Sequence, residues 1–278
     1  MPRKRRFAQV DVFTAKPLYG NPVAVILEAD GLDTAEMQQV AQWTNLSETT
    51  FVLPPSEIGA DYQARIFTPT EELPFAGHPT LGTAYAVIEA WIATPKDGKL
   101  VMQCKAGLVE ITVGKQGLSF RLPRFAPRAT VDADELPSIL GAAAIIGDAE
   151  TIDTGPHWLI ARVEDVAVLS PNAARLKPHL VRDGATGLTA YSETNAGEIA
   201  VRSFFFTDGM VEDPVCGSGN AAVAVHRMRA GTIGDGDDYL ARQGQQIGRD
   251  GEIRVRIKDG DVHVGGQCVT CVEGHFVL

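Results

Sequence analysis

Four side chains of this 278-residue chain combine the types and settings needed to move a proton. Glu48 lies in Asn45-Leu-Ser-Glu-Thr-Thr-Phe-Val-Leu, where strand alternation puts it on one face with Leu46, Thr50 and Val52. A carboxyl among mainly apolar neighbours has its pKa raised toward neutrality and suits general acid/base work. A Glu at a strand edge pointing to water would not, and the pattern alone leaves both readings open. His78 follows Gly77 and precedes Pro79 at the mouth of a helix, where the macrodipole keeps an imidazole neutral; plain capping or surface exposure is the alternative. Asp213 opens Asp-Pro-Val-Cys-Gly-Ser-Gly-Asn and either orients a reacting group or forms the Asp-Pro turn. Cys216, in the same stretch, precedes an Ala-rich helix, where exposed amides lower a thiol pKa; a buried cysteine would instead be inert packing. Gly77, Gly217 and Gly219 leave the backbone open to a substrate, and Ser218 either binds substrate or caps the second helix.

The elements that must hold these residues alternate helix and strand signals, which predicts a mixed α/β chain. Strands are expected over 7–13, 22–27, 46–53 and 62–67. One helix is expected from a capping box of Asp33 and Glu36 toward Asn45, and another from His78 through Ala90. The second half echoes the first. Glu72-Leu-Pro-Phe-Ala-Gly-His and Glu212-Asp-Pro-Val-Cys-Gly-Ser match at Glu, Pro and Gly, with an offset close to half the chain, and each precedes an Ala-rich helix. Upstream, Arg65-Ile-Phe-Thr faces Arg202-Ser-Phe-Phe-Phe-Thr. Duplication predicts two similar halves, 1–122 and 123–278, joined within the proline-bearing stretch 122–134, with the last strand a possible addition to the first half. Two helix N-termini facing one cleft would cradle a carboxylate with their unpaired amides. Arg65 and Arg202 either clamp that carboxylate or pair with neighbouring acids, while Glu71, Glu72 and Glu212 read as solvated turn residues.

Charge and composition remove other classes of function. A net charge of -10 and a pI near 5.1 argue against nucleic acid as a partner, and Arg3-Lys-Arg-Arg6 reads as a solvated tail. No apolar run has the length of a signal or a membrane span, so a cytoplasmic, reducing setting with free cysteines is expected. Cys268 and Cys271, with His263 and His275, have a zinc-like order, but the flanking residues read better as terminal strands broken by Gly265-Gly266. Gly77-His-Pro-Thr-Leu-Gly-Thr83 lacks the lysine of a phosphate loop, and Gly217-Ser-Gly-Asn-Ala-Ala222 follows Asp-Pro where a dinucleotide fold needs a buried strand. With no lysine for pyridoxal phosphate either, no cofactor is called for, which leaves proton transfer, elimination or hydrolysis by side chains alone.

Several long motifs stand in a known order: Asn45-Leu-Ser-Glu-Thr-Thr-Phe-Val52, Arg65-Ile-Phe-Thr-Pro69, Pro74-Phe-Ala-Gly-His-Pro-Thr-Leu-Gly-Thr-Ala84 and Glu212-Asp-Pro-Val-Cys-Gly-Ser-Gly219. With Val10-Asp-Val-Phe-Thr-Ala15, Gly20-Asn-Pro-Val-Ala-Val25, Gln243-Gly244 and Val264-Gly-Gly266, they make the chain resemble the PhzF-like phenazine-biosynthesis isomerases nearly end to end. The resemblance implies a diaminopimelate-epimerase-like α/β (α+β) fold. Its two similar halves would each be a curved, mostly antiparallel sheet wrapped around a central helix, with the active site between them. It further implies a cofactor-free homodimer acting on a small carboxylate-bearing molecule; the family's characterised reaction isomerises a dihydro-hydroxyanthranilic acid by moving a proton. Carried over by position, Glu48 is the general acid/base, assisted by His78 and Asp213, with Gly77 and Ser218 in the substrate pocket. The family usually has threonine where this chain has Cys216. Related epimerases use two cysteines, at positions that are Ala76 and Cys216 here, so a two-thiol mechanism is ruled out. The chain is therefore read as a cofactor-independent isomerase. Two alternatives stand beside that reading: an epimerase or dehydratase in which Cys216 assists opposite Glu48, and a catalytically silent binding protein.

Overall fold

The computed structural model describes residues 3–194 and 196–278. They pack as two units, Met1–Arg121 with Gly265–Leu278, and Leu122–Val264.

In the first unit, β1 (Lys4–Val12) lies antiparallel to β2 (Asn21–Ile26), whose apolar run Val23 to Ile26 is fully buried. Helix α1 (Thr34–Thr44) starts at the expected capping box, where the Asp33 carboxylate accepts the Glu36 N–H and the Glu36 carboxylate accepts the Asp33 N–H, both at 2.8 Å. It ends at Asn45 in the left-handed conformation, φ 54°. That exit and the bend after it delay β3 (Thr49–Leu53), so the strand expected from Leu46 begins three residues later. β3 runs parallel to β2 and antiparallel to β4 (Tyr62–Phe67). The far edge of β4 is shared by the two-residue β5 (Glu72–Leu73), antiparallel at one end, and by β6 (Lys99–Cys104), parallel at the other. Helix α2 (Gly77–Glu89) connects β5 to β6 (Lys99–Cys104), and β7 (Gly107–Gly114) and β8 (Gly117–Arg121) follow. α2 packs against β1, β2, β3, β6 and β8, so the sheet wraps it. Such a helix must be apolar on most sides, and its residues from His78 to Ala84 are all buried. Gly82 allows the close approach, because a Cβ there would stand 2.4 Å from Val23.

The second unit repeats this plan. It contains β9 (Ala126–Val131), α3 (Leu136–Leu140), β10 (Ala149–Asp153), β11 (His157–Arg162), α4 (Ala173–Arg182), β12 (Gly187–Glu193), β13 (Ile199–Phe206), β14 (Met210–Asp213), α5 (Gly217–Arg229), β15 (Asp238–Gln243), β16 (Gly251–Lys258) and β17 (Asp261–Gly266). Here β11 and β12 are parallel like β2 and β3, and β13 shares its edge between antiparallel β14 and parallel β15 as β4 does. The wrapped helix is α5, against β10, β11, β12 and β16. β9 pairs with β10 inside the stretch expected to be a featureless join; its residues up to Thr130 are exposed, which hid the strand from any hydrophobic pattern. The matching strand of the first unit is the last of the chain, β18 (Cys268–Val277), antiparallel to β1.

The duplication extends to side chains. Arg65 on β4 grips Glu72 on β5 with Nε and Nη2 at 2.7 and 2.9 Å, and Arg202 on β13 grips Glu212 on β14 at 2.9 and 2.7 Å. The guanidiniums lie over Phe67 and Phe204, 5.1 and 5.0 Å from the ring centres. Glu72 and Glu212 are thus held in bidentate pairs rather than solvated, and both arginines are spent on pinning a short strand to its neighbour.

Candidate active site

In the first unit, the mouth of α2 brings His78 to Glu48, with Nε2 3.4 Å from Oε2. Glu48 sits immediately before β3 rather than inside a strand, tied there by its carbonyl, which accepts the Ala24 N–H at 3.4 Å. Both side chains are largely buried. Burial pushes the His78 imidazole pKa down to about 3, against a hydrogen bond to the Pro22 backbone that works the other way. The ring is neutral at pH 7. With Nε2 turned to Glu48, the Pro22 carbonyl takes the Nδ1 proton, so Nε2 presents a bare lone pair to the carboxyl oxygen. Two lone pairs at this distance repel, and one proton between them removes the repulsion. A carboxyl and an imidazole so placed can share a single proton.

α2 has no side-chain cap: its N-cap is Ala76. Pro79, third in the helix, has no N–H, and Thr80 N–H already bonds the Ala76 carbonyl at 3.2 Å. The amides of Gly77 and His78 are left over from the helix's own bonding. A Cβ on Gly77 would lie 3.0 Å from the Phe120 ring.

In the second unit, the run from Asp213 to Asn220 is bolted to its surroundings. Asp213 closes β14, and its Oδ1 accepts the Val215 N–H at 3.0 Å. Burial raises the Asp213 pKa to about 6, with the Val215 bond pulling the other way. Cys216 is the N-cap of α5, its sulfur accepting the Gly219 N–H at 3.3 Å. Burial, then the nearby Asp213 carboxylate, pushes this thiol well above its ordinary range. The lowered pKa expected from the helix start is overturned, because desolvation of a thiolate outweighs the hydrogen bonds from the Ser218 hydroxyl and the Gly219 amide. Ser218 is not the cap: its hydroxyl accepts the indole N–H of Trp158 at 3.0 Å and its carbonyl accepts Thr154 Oγ1–H at 3.1 Å. Gly219 is a packing glycine, since a Cβ would stand 2.5 Å from Thr189 Oγ1 and 2.9 Å from Ser203 Oγ. Gly217 and Ser218 carry the two first-turn amides that the helix leaves over.

Sequence reasoning assigned no role to Gln243. This fully buried residue accepts both the Cys216 N–H (3.1 Å) and an Asn220 Nδ2–H (2.9 Å) on Oε1, and donates from Nε2 to the Asp213 carbonyl (2.9 Å). It spans the loop like a staple. Its neighbour Gly244, at φ 100°, carries no Cβ to strike the Pro214 carbonyl 2.5 Å away. A glutamine followed by glycine has no local signature that separates this role from an ordinary strand end.

Among the described residues no group of three or more His, Cys, Asp or Glu side chains gathers to hold a metal ion, and no helix is long and apolar enough to cross a membrane. Cys271 is the bulged residue opposite the Gln9/Val10 step of β1.

Residues 10–274 match the family described as phenazine biosynthesis-like protein. The chain is 38% identical to antisense-enhancing sequence 1 of Schizosaccharomyces pombe, covering 96% of this chain and 97% of that protein. It is 34% identical to the trans-2,3-dihydro-3-hydroxyanthranilate isomerase of Pseudomonas aeruginosa, covering 98% of this chain and 99% of that protein. Among solved structures, the Bacillus anthracis phenazine biosynthesis protein of the PhzF family superposes with a TM-score of 0.84 at 25% identity, over 99% of this chain and all (100%) of that one. A hydroxyproline epimerase from Agrobacterium vitis has a TM-score of 0.70 at 14% identity, over 99% of this chain and 93% of that one, and shares the fold.

Proposed function

The chain belongs to the phenazine biosynthesis-like family and is an isomerase, and on that premise we propose that it moves a proton between carbons of a small carboxylate-bearing metabolite, with Glu48 as the general acid/base. The observation that carries this reading is the Glu48–His78 pair, a carboxyl oxygen 3.4 Å from Nε2 of a buried, neutral imidazole. In the forward step a substrate C–H bond breaks, its proton goes to Glu48, and the electron pair shifts into the adjacent π system. In the return step Glu48 gives the proton back at another carbon, so atoms and electrons balance with no added reagent. His78 Nε2 steadies the protonated carboxyl in between by accepting its hydrogen bond. Asp213, with a pKa near 6, is ionised at neutral pH and accepts a hydrogen bond from a substrate donor. The amides left over at Gly77, His78, Gly217 and Ser218 are suited to a carboxylate.

The P. aeruginosa relative, named as an isomerase, matches over almost the whole chain, which supports the reaction class, and the substrate in its name is the first compound to assay. Incubated with enzyme in D2O, it should take deuterium at carbon, and Glu48→Gln should abolish the uptake while leaving thermal unfolding unchanged. Normal exchange by the Gln variant would remove Glu48 from the mechanism. The alternative in which Cys216 acts as a thiolate opposite Glu48 meets a thiol that its surroundings hold protonated.

A further inference from the structure

The second residue of each wrapped helix is held from behind by a strand residue, and the two holding positions match. Ala24 of β2 pairs with Thr49 of β3, and Ile160 of β11 pairs with Thr189 of β12. Thr49 and Thr189 are as far apart in the chain as Gly77 and Gly217, which open α2 and α5. Two residues before Ala24 stands Pro22, and two before Ile160 stands Trp158. The Pro22 carbonyl accepts from His78, second in α2. The Trp158 indole N–H donates to the hydroxyl oxygen of Ser218, second in α5, at 3.0 Å. The polarity is reversed between the copies: an acceptor holds the imidazole and leaves it a lone pair, whereas a donor holds the serine and occupies one of its lone pairs. The indole is buried, and the chain makes room for it. Gly187 lies directly across from Trp158 on β12, and a Cβ there would stand 2.5 Å from Cζ3 of the ring. Thr154 Oγ1 donates to the Ser218 carbonyl at 3.1 Å, so backbone and side chain of this one residue are both tied. The other neighbour of the hydroxyl is the Cys216 sulfur at 3.6 Å, a weak acceptor that already takes the Gly219 N–H at 3.3 Å.

We propose that Trp158 is a positioning residue: by holding Ser218 through its lone pair, it commits the hydroxyl to donating to the substrate's carboxylate. The inference rests on the carboxylate-bearing substrate proposed above. An indole N–H can only donate, so Ser218 cannot turn its proton toward Trp158 and must spend it elsewhere. The hydroxyl then joins the first-turn amides of Gly217 and Ser218, and three donors of α5 serve one anion. A carboxylate oxygen is a stronger acceptor than a thiol sulfur, so it draws the proton away from Cys216. A neutral amide or alcohol in the same place gains less, because its bonds to these donors lack the help of charge. Moving a proton between carbons leaves the carboxylate's charge in place, so this donor contributes alike to the bound substrate and to the transition state.

Indole N–H signals in proton NMR test the hold without any turnover. Of the three tryptophans, Trp43 and Trp91 are 76% and 87% exposed, so the buried Trp158 is the one whose N–H exchanges slowly with water. Ser218→Ala should move that signal and leave the other two in place; an unmoved signal overturns the proposal. In turnover of the carboxylate substrate, Trp158→Phe keeps a ring and removes the N–H. It should raise KM about tenfold with kcat within about threefold of the parent's, as expected for losing one charge-assisted hydrogen bond. Ser218→Ala should raise KM at least as much, and the double variant should be no worse than Ser218→Ala alone, because Trp158 acts through that hydroxyl. A Trp158→Phe effect that persists in full beside Ser218→Ala, or that falls on kcat rather than KM, overturns the assignment. The spectral test holds even if Trp158→Phe folds poorly. A parent protein without Glu48-dependent exchange at carbon sinks the reaction assigned above, and benzoate then decides the present inference by itself. Benzoate should shift the Trp158 signal and benzyl alcohol should not, and a signal indifferent to benzoate overturns the carboxylate role.

Discussion

The first turns of α2 and α5 are two versions of one element, and they dispose of the same surplus donor in different ways. In α5 the third residue is Gly219, whose N–H needs an acceptor, and the Cys216 sulfur provides it at 3.3 Å. In α2 the third residue is Pro79, which has no N–H, so Ala76 suffices as N-cap. A cysteine in one copy and an alanine in the other therefore follow from helix capping without any appeal to catalysis. The neighbourhoods differ as well: Gln243 and Trp158 hold the α5 loop from behind, whereas beside α2 the backbone bond to Pro22 fixes His78 while Nε2 is left facing Glu48. Duplication supplied two equivalent frames; in the proposed scheme one of them carries the proton and the other is a rigid seat.

The comparison can be broken most sharply at the carrier. Glu48→Gln should lower kcat by about 10³-fold, within the usual range for a general acid/base, with little change in unfolding midpoint. A drop of threefold or less would mean that the pair beside α2 is structural. Next in size is the staple. Gln243→Ala leaves buried donors and an acceptor unsatisfied and should cost about 3 kcal/mol in urea unfolding, with kcat falling more than KM changes because the Asp213 loop loosens. Asp213 gives a pH signature. The carboxylate form is the active one in the scheme above, so kcat/KM should rise with pH up to its pKa near 6 and level off above it, and Asp213→Asn should remove that limb. In stability the sign is opposite. The native state keeps a proton that the unfolded state loses from about pH 4, so stability should fall as pH rises from there through about 6 and then flatten. The smallest effect sharpens the capping contrast. Cys216→Ala should cost about 1 kcal/mol by orphaning the Gly219 N–H, Cys216→Ser should restore it with activity near the parent's, and Ala76→Ser should gain little because its helix lacks that donor. An inactive Cys216→Ser of normal stability would return the sulfur to the chemistry.

The duplicated frame was legible because it lies in regularities a sequence displays. The repeated Glu-x-Pro-x-x-Gly run marked where each wrapped helix begins, and the Asp33–Glu36 box marked the start of α1. What could not be read depended on partners far along the chain. Burial of Cys216 by an entire curled sheet reverses the thiol pKa that its local position suggests, and nothing between Asp213 and Asn220 announces Gln243. Glu72 and Glu212 looked solvated because the arginines that hold them lie on the preceding strand, across a turn. β9 was missed for the opposite reason: its exposed side chains leave no hydrophobic period, and its place comes from backbone pairing with β10.

The return of β18 to β1 also governs the order in which the protein can be completed on a ribosome. The second unit is entirely translated by Val264, whereas the first lacks its closing strand until β18 emerges. Because Arg3 and Leu278 already meet across that ladder, a short linker between the old termini and new ends at the 121–122 junction would turn both units into uninterrupted stretches of chain. Such a circular permutant should keep the fold while allowing each unit to finish independently of the other.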